Sequence, residues 1–125
     1  YTNNLFKLEK ENKFSNSEQD FISRLNHQIK EHLDHSDFTV ERLAEELNVS
    51  RVQLYRKVKA LLGLNISDYI NNYKLESAKM MLEDTDLSVS EIAYKCGFST
   101  PNYFSTSFKN KYGSSPAFYR KSYKG

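Results

Sequence analysis

A chain of 125 residues with 27% charged side chains, two prolines and a net charge of +2 is the size of one modest domain, or of two small cores that share a helix. No apolar run approaches the ~20 residues of a membrane helix, so a spanning protein is excluded and the composition reads as soluble and helical. The single cysteine, Cys96, rules out an internal disulfide framework and suits a reducing cytoplasm.

Residues 1–16 (YTNNLFKLEKENKFSN) mix charges without a sustained period and read as a linker, and the missing initiator methionine suggests a fragment. Residues 17–37 form a supporting helix and connection. Ser17 with Asp20 is expected to cap it, and Phe21, Ile22, Leu25, Ile29 and Leu33 mark its buried face. His27, His32 and His35 lie near Asp34 and Asp37, as metal ligands would, but no second cluster completes a set. They read as solvated polar residues, and no metal or cofactor is expected.

Residues 38–65 read as a first helix-turn-helix. Thr39 caps Val40 to Leu47, which turns Val40, Leu43, Ala44 and Leu47 inward. Ser50 caps Arg51 to Leu62, where Leu54, Val58, Leu61 and Leu62 are core and Arg51, Val52, Tyr55, Arg56 and Lys59 face outward. That second helix carries four cations and no acid. Residues 66–86 are a linking helix and loop. The helix begins at Asn65 or Ser67 and buries Ile66, Tyr69, Ile70, Tyr73, Ala78, Met81 and Leu82. At 1.5 Å per residue it makes a rod of ~26 Å, which can hold two flanking units near the ~34 Å repeat of B-DNA.

Residues 87–125 form a second helix-turn-helix with a C-terminal helix. Ser88 and Glu91 have capping-box spacing, and Val89, Ile92, Ala93 and Cys96 share a face. Gly97 supplies the left-handed stop, with Phe98 packing back onto the helix it ends. Ser99 or Thr100 caps the next helix, Pro101 suits its first turn, and Phe104, Phe108 and Tyr112 repeat every four residues. Gly113 ends it, and Pro116 opens a short closing helix through Tyr119 and Arg120. Cys96 is read as a small core residue.

The two halves repeat. Leu43 to Ser50 (LAEELNVS) overlies Ile92 to Ser99 (IAYKCGFS) at a shift of 49 positions, with Asn48 standing at the glycine. After a one-residue offset, Leu54, Val58, Leu62, Gly63 and Tyr69 overlie Phe104, Phe108, Tyr112, Gly113 and Tyr119. A match of core positions twice in one chain specifies the architecture better than either copy alone. The expected fold is all-α: two helix-turn-helix subdomains joined by a long helix, about seven helices in all. Residues 1–37 carry 5 basic and 7 acidic groups, whereas residues 38–125 carry 13 and 9, and both presumed recognition helices lack Asp and Glu. A basic stripe on two defined helices is the electrostatic footprint of duplex binding.

The run Gly97-Phe98-Ser99, Tyr103-Phe104-Ser105, Phe108-Lys109, Tyr112-Gly113, Ser115-Pro116 and Tyr119-Arg120 resembles the signature of the DNA-binding domain of AraC/XylS-family bacterial transcription regulators, and the resemblance covers roughly residues 20–121. It implies base contacts from Val52, Tyr55 and Arg56 in the first copy and Pro101, Asn102, Ser105 and Thr106 in the second, where Thr106 departs from the family's usual Arg or Lys. Phosphates are assigned to Ser50, Arg51, Lys59, Ser99, Thr100, Lys109 and Lys111. Arg56 suits guanine and Asn102 adenine, so the first helix is expected to be the stricter reader.

The resemblance further implies a double-stranded DNA operator, RNA polymerase as a partner, and a monomeric, cytoplasmic domain without membrane contact. The run Leu54-Tyr55-Arg56-Lys57 also resembles the output domains of hybrid two-component sensors and response regulators, which implies an upstream receiver or sensor part. A helical protein-interaction module that lost DNA binding is the competing reading. No phosphate loop, zinc spacing or activated nucleophile can be assembled, so no enzyme is expected.

Overall fold

A computed structural model describes residues 14–35 and 38–125. Among these residues there are seven helices and no strand: α1 (Asn16–Glu31), α2 (Val40–Glu46), α3 (Arg51–Leu62), α4 (Ile66–Asp84), α5 (Val89–Lys95), α6 (Pro101–Tyr112) and α7 (Pro116–Lys124). None is long and apolar enough to cross a membrane. The chain divides into two compact units, and α4 gives its residues through Tyr73 to the first and those from Lys74 to the second.

The first unit packs α1 on α2 and α2 on α3. Its core is largely aliphatic: Ile22, Leu25, Ile29, Leu43, Leu47, Leu54, Val58 and Ile66 are all buried. Each such side chain stabilises the fold by roughly 1.5–3 kcal/mol on burial. Two polar contacts add to this packing. The Tyr69 hydroxyl donates to Asn26 Oδ1 inside the core, and Arg24 donates to the Leu47 carbonyl at 3.0 Å, filling one of the carbonyls left open where α2 ends.

The start of α1 differs from the expected one. Ser15, not Ser17, is the cap: its hydroxyl accepts from Glu18 N and the Glu18 carboxylate accepts from Ser15 N at 2.9 Å. A complete capping box satisfies two orphan amides, which a Ser17–Asp20 pair does not. The helix therefore begins inside the stretch read as linker, of which residues 1–13 lie outside the described residues. The histidines take separate local roles. His27 faces Glu31 at 3.7 Å, His35 faces Asp34 at 3.6 Å, and His32 stacks on Phe38 with ring centroids 4.5 Å apart. Asp37 lies outside the described residues.

The second unit is built on aromatic rings. Phe98, Phe104 and Phe108 are buried with Leu75, Ala78, Leu82, Ile92, Ala93 and Cys96, and the Phe104 and Phe108 rings meet edge-on at 5.8 Å. The Arg120 guanidinium donates to three carbonyls, one in the last turn of α4, Leu82 at 3.1 Å, and two in the loop that follows it, Leu87 at 2.6 Å and Thr85 at 3.2 Å. The Tyr119 hydroxyl donates to the Glu83 carboxylate.

In α4, Asn65 is the residue whose side chain accepts from the first turn, at Asp68 N. Its buried positions are Ile66, Tyr69 and Tyr73 and then Leu75, Ala78 and Leu82. The stripe changes face as the helix passes from one unit to the other, so a single-stripe reading omits Leu75. It also omits Glu76, which is 1% exposed and whose Oε2 has no hydrogen-bond partner among the described residues.

The turns of the two copies agree bond for bond. Val49 N donates to Ala44 O at 3.1 Å and Phe98 N to Ala93 O at 3.0 Å, while Asn48 N reaches Glu45 O and Gly97 N reaches Tyr94 O. These are Schellman turns, and their left-handed residues are Asn48 at φ 59° and Gly97 at φ 84°. The two positions differ in what surrounds them. A Cβ on Gly97 would lie 2.1 Å from the Leu33 carbonyl oxygen, and Lys74 Nζ donates to the Gly97 carbonyl at 3.1 Å.

Gly97→Val is therefore expected to lose more than the ~1–3 kcal/mol of left-handed strain, because the Leu33 carbonyl must also move. Asn48→Gly is expected to leave stability within about 1 kcal/mol. Thermal melts followed by circular dichroism check both, and an unchanged midpoint for Gly97→Val would refute the close packing.

Burial pushes the Glu76 carboxyl up to about 7, against the pull of Lys111 and Lys79. The folded state thus holds this proton more tightly than the unfolded chain does. The stabilisation is complete below the unfolded value of ~4.3 and is lost as pH rises through neutrality. Glu76→Gln should flatten the fall in stability between about pH 5 and pH 8 in urea titrations. A variant with the wild-type slope would show that the carboxyl is solvated.

Candidate nucleic-acid interface

Both presumed recognition helices start on a hydroxyl cap, and in the first copy the cap is a reciprocal capping box. Ser50 Oγ accepts from Gln53 N at 3.1 Å while Gln53 Oε1 accepts from Ser50 N at 2.9 Å. In the second copy Thr100 Oγ1 accepts from Tyr103 N at 3.1 Å. Thr100 is thus the counterpart of Ser50, and Ser99 is the extra residue of the second turn. Gly63 at φ 79° and Gly113 at φ 84° close the two helices.

With Leu54 and Val58 buried in α3, and Phe104 and Phe108 in α6, the opposite faces are set by the helical period. The outer face of α3 carries Val52, Tyr55, Arg56 and Lys59, and that of α6 carries Asn102, Ser105, Thr106 and Lys109, residue for residue at a shift of 50 positions. Val52, Arg56, Asn102, Thr106 and Lys109 are exposed, whereas Tyr55, Ser105 and Pro101 are half-buried. Ser50, Ser99 and Thr100 are exposed at the helix starts.

Three cations assigned to phosphates have other neighbours. Lys59 Nζ donates to the Gly63 carbonyl at 3.2 Å, closing the C-terminal end of α3. Lys111 is half-buried, with Nζ 5.6 Å from the Tyr112 ring centroid and its charge felt by Glu76. Arg51 lies between two partners. Its guanidinium pairs with Glu41 Oε2 at 2.9 Å, donates to the Tyr55 hydroxyl at 3.4 Å and sits 5.5 Å from the centre of that ring. The Tyr55 hydroxyl first, and Glu41 second, raise its pKa further above the ordinary arginine value.

Glu41 and Gln53 escape a reading of the sequence. Gln53 is legible in hindsight as the fourth member of Ser50-Arg51-Val52-Gln53, a capping-box spacing. Glu41 belongs to α2 and meets Arg51 only because the turn brings the two helices together. Both recognition helices lack acids in sequence, but α2 places a carboxylate beside the start of α3.

A short helix, a left-handed turn and a second helix with a polar outer face form the arrangement that enters a major groove. A family model described as "Helix-turn-helix domain" matches residues 43–122. Among curated proteins, "Histidine kinase P4" of Formosa agariphila is 32% identical over 95 residues, which is 76% of this chain and 7% of that protein. Among solved structures, the C-terminal domain of AraT, a response regulator from Geobacillus stearothermophilus, is 39% identical with a TM-score of 0.74, covering 82% of this chain and 84% of that one. The DNA-binding domain of AdpA, a global transcriptional factor solved with a target DNA, is 33% identical with a TM-score of 0.75, covering 82% of this chain and 91% of that one. On these matches and the duplicated turn, the chain belongs to the AraC/XylS family of bacterial transcription regulators, as its helix-turn-helix DNA-binding domain.

Proposed function

We propose that this domain reads an asymmetric operator with both recognition helices, α3 and α6 each lying in one of two adjacent major grooves. The observation that carries this reading is the residue-for-residue correspondence of two outward faces, Val52-Tyr55-Arg56-Lys59 and Asn102-Ser105-Thr106-Lys109, each behind an equivalent Schellman turn. Arg56 is the principal reader, with a planar fork suited to guanine O6 and N7, and Asn102 pairs with adenine. Val52 and Pro101 offer apolar contact to thymine methyls. Tyr55, Ser105 and Thr106 complete the base-facing set.

Phosphates are held by Lys109, by the hydroxyls of Ser50, Ser99 and Thr100, and by the exposed amides at the helix starts. Lys59 and Lys111 have a weaker claim, because each already has a neighbour at its own helix end. The chain spans 7% of the curated kinase it resembles. The likeness to that kinase and to a response regulator's C-terminal domain supports an output role below an upstream receiver or sensor part, in the cytoplasm, with RNA polymerase as the eventual partner. In isolation the domain is a monomer.

A gel-shift titration over salt and a footprint test the reading. Affinity should fall steeply as salt rises, and protection should cover about two helical turns on one face of the duplex. Protection of half that length would leave one helix off the DNA. A chain without duplex affinity would be an interaction module.

Arg56→Ala is expected to cost ~1–3 kcal/mol on the preferred operator and to flatten preference at one base pair. Lys109→Ala should weaken all sequences alike and lower the salt slope by about one. Binding selections over a randomised operator check both, and a Lys109→Ala variant that lost base preference would reverse the assignment.

A further inference from the structure

Arg51, an exposed cation in the first turn of α3, is expected from the sequence to hold a phosphate. Its surroundings argue otherwise. The guanidinium has a carboxylate at 2.9 Å on one nitrogen, a phenol oxygen at 3.4 Å on another, and the ring of that same phenol 5.5 Å from its carbon. An arginine held by an anion on one side and an aromatic ring on the other already has the two kinds of partner it would seek on DNA.

The second copy lacks all three residues. Ser90 stands at the position of Glu41, Pro101 at that of Arg51 and Ser105 at that of Tyr55. The scaffold is therefore formed without this cluster, which distinguishes the copy that carries the arginine–guanine reader from the one that does not.

We propose that Glu41 is a specificity-determining positioning residue: through Arg51 it fixes the Tyr55 ring against α3 for base contact, and it withholds Arg51 from the phosphates. This rests on the reading of α3 as a recognition helix. Glu41 and Arg51 are 56% and 58% exposed, so water competes for both groups. The expected effects are accordingly modest, roughly two- to fivefold, as for other exposed ion pairs. A neutral pair adds nothing to counterion release, whereas a freed arginine beside a phosphate adds one contact.

The full 125-residue chain is titrated over salt against its selected operator and against a duplex of unrelated sequence. Base preference is scored for Glu41→Gln, for the double variant Glu41→Gln/Arg51→Gln, and for Tyr55→Ala, which identifies the base pair that Tyr55 reads. Glu41→Gln should bind the unrelated duplex roughly two- to fivefold more tightly, steepen the salt slope by about one and relax preference at the Tyr55 base pair. The double variant should keep the wild-type slope and show the same relaxed preference.

Circular dichroism melts check that each variant is folded. A double variant whose slope falls by about one would make Arg51 a phosphate ligand after all. Wild-type slope and preference in Glu41→Gln would leave Glu41 without a role and the DNA-binding reading untouched. A wild-type chain with no salt-dependent duplex affinity would remove that reading and the inference with it.

Discussion

Everything that α3 and α6 present to their surroundings depends on one backbone residue in each copy. Asn48 and Gly97 carry the chain through the left-handed region, and the paired Schellman bonds around them set the direction in which the next helix leaves. A right-handed residue there would continue the first helix and abolish the turn. The cost of the left-handed conformation, ~1 kcal/mol or more for a residue with a Cβ, is lowered at Asn48 by a short polar side chain and avoided at Gly97. The turn in the second unit is also the more crowded. Leu33 packs its carbonyl against Gly97 and Lys74 grips the Gly97 carbonyl from α4, so backbone, cation and helix converge on one peptide unit. Burial lowers the pKa of that lysine, the sign that its ammonium is partly withdrawn from water.

The same turn is held by different means in the two copies. The first unit relies on branched aliphatic side chains, an Asn26–Tyr69 contact in the core and the Arg24 link to the end of α2. The second packs phenylalanine rings tilted and edge-on and ties the end of α4 and the loop after it to α7 through the three bonds of Arg120. A planar guanidinium reaches the three carbonyls from three separate nitrogens, whereas a lysine would have to bring all of them to a single one. The position equivalent to Arg120 in the first copy is Ile70. Duplication has thus kept the turn and let the supports diverge, as expected if the turn is what presents the outer face.

Much of this was readable from residue spacing. The caps Thr39 and Ser88 and the stops Gly63, Gly97 and Gly113 follow from local chemistry that tertiary contacts do not override. Leu54, Val58, Phe104 and Phe108 follow from the helical period. What escaped depends on neighbours far along the chain. The cap of α1 is the exception, since Ser15 and Glu18 have a local capping-box spacing that a linker reading of residues 1–16 passes over. Glu76 and Leu75 were missed because α4 changes its buried face partway along, so no single stripe describes it. In the site, the face on which a residue lies was legible, but the half-burial of Tyr55, Pro101 and Ser105 and the partners of the cations were not. Arg51 reads as a free cation in one dimension and lies on Glu41 and Tyr55 in three.

Cys96 gives the second unit a natural clock. The thiol is 0% exposed, lies 3.8 Å from Met81 Sδ, and burial pushes its pKa up to about 12. A thiol so placed reacts only when the packing around it opens, since the thiolate is the nucleophile and must be reached by the reagent. The chain has no other cysteine. The rate at which an alkylating reagent consumes the native thiol therefore times the opening of the second unit's core around the end of α5, without a label.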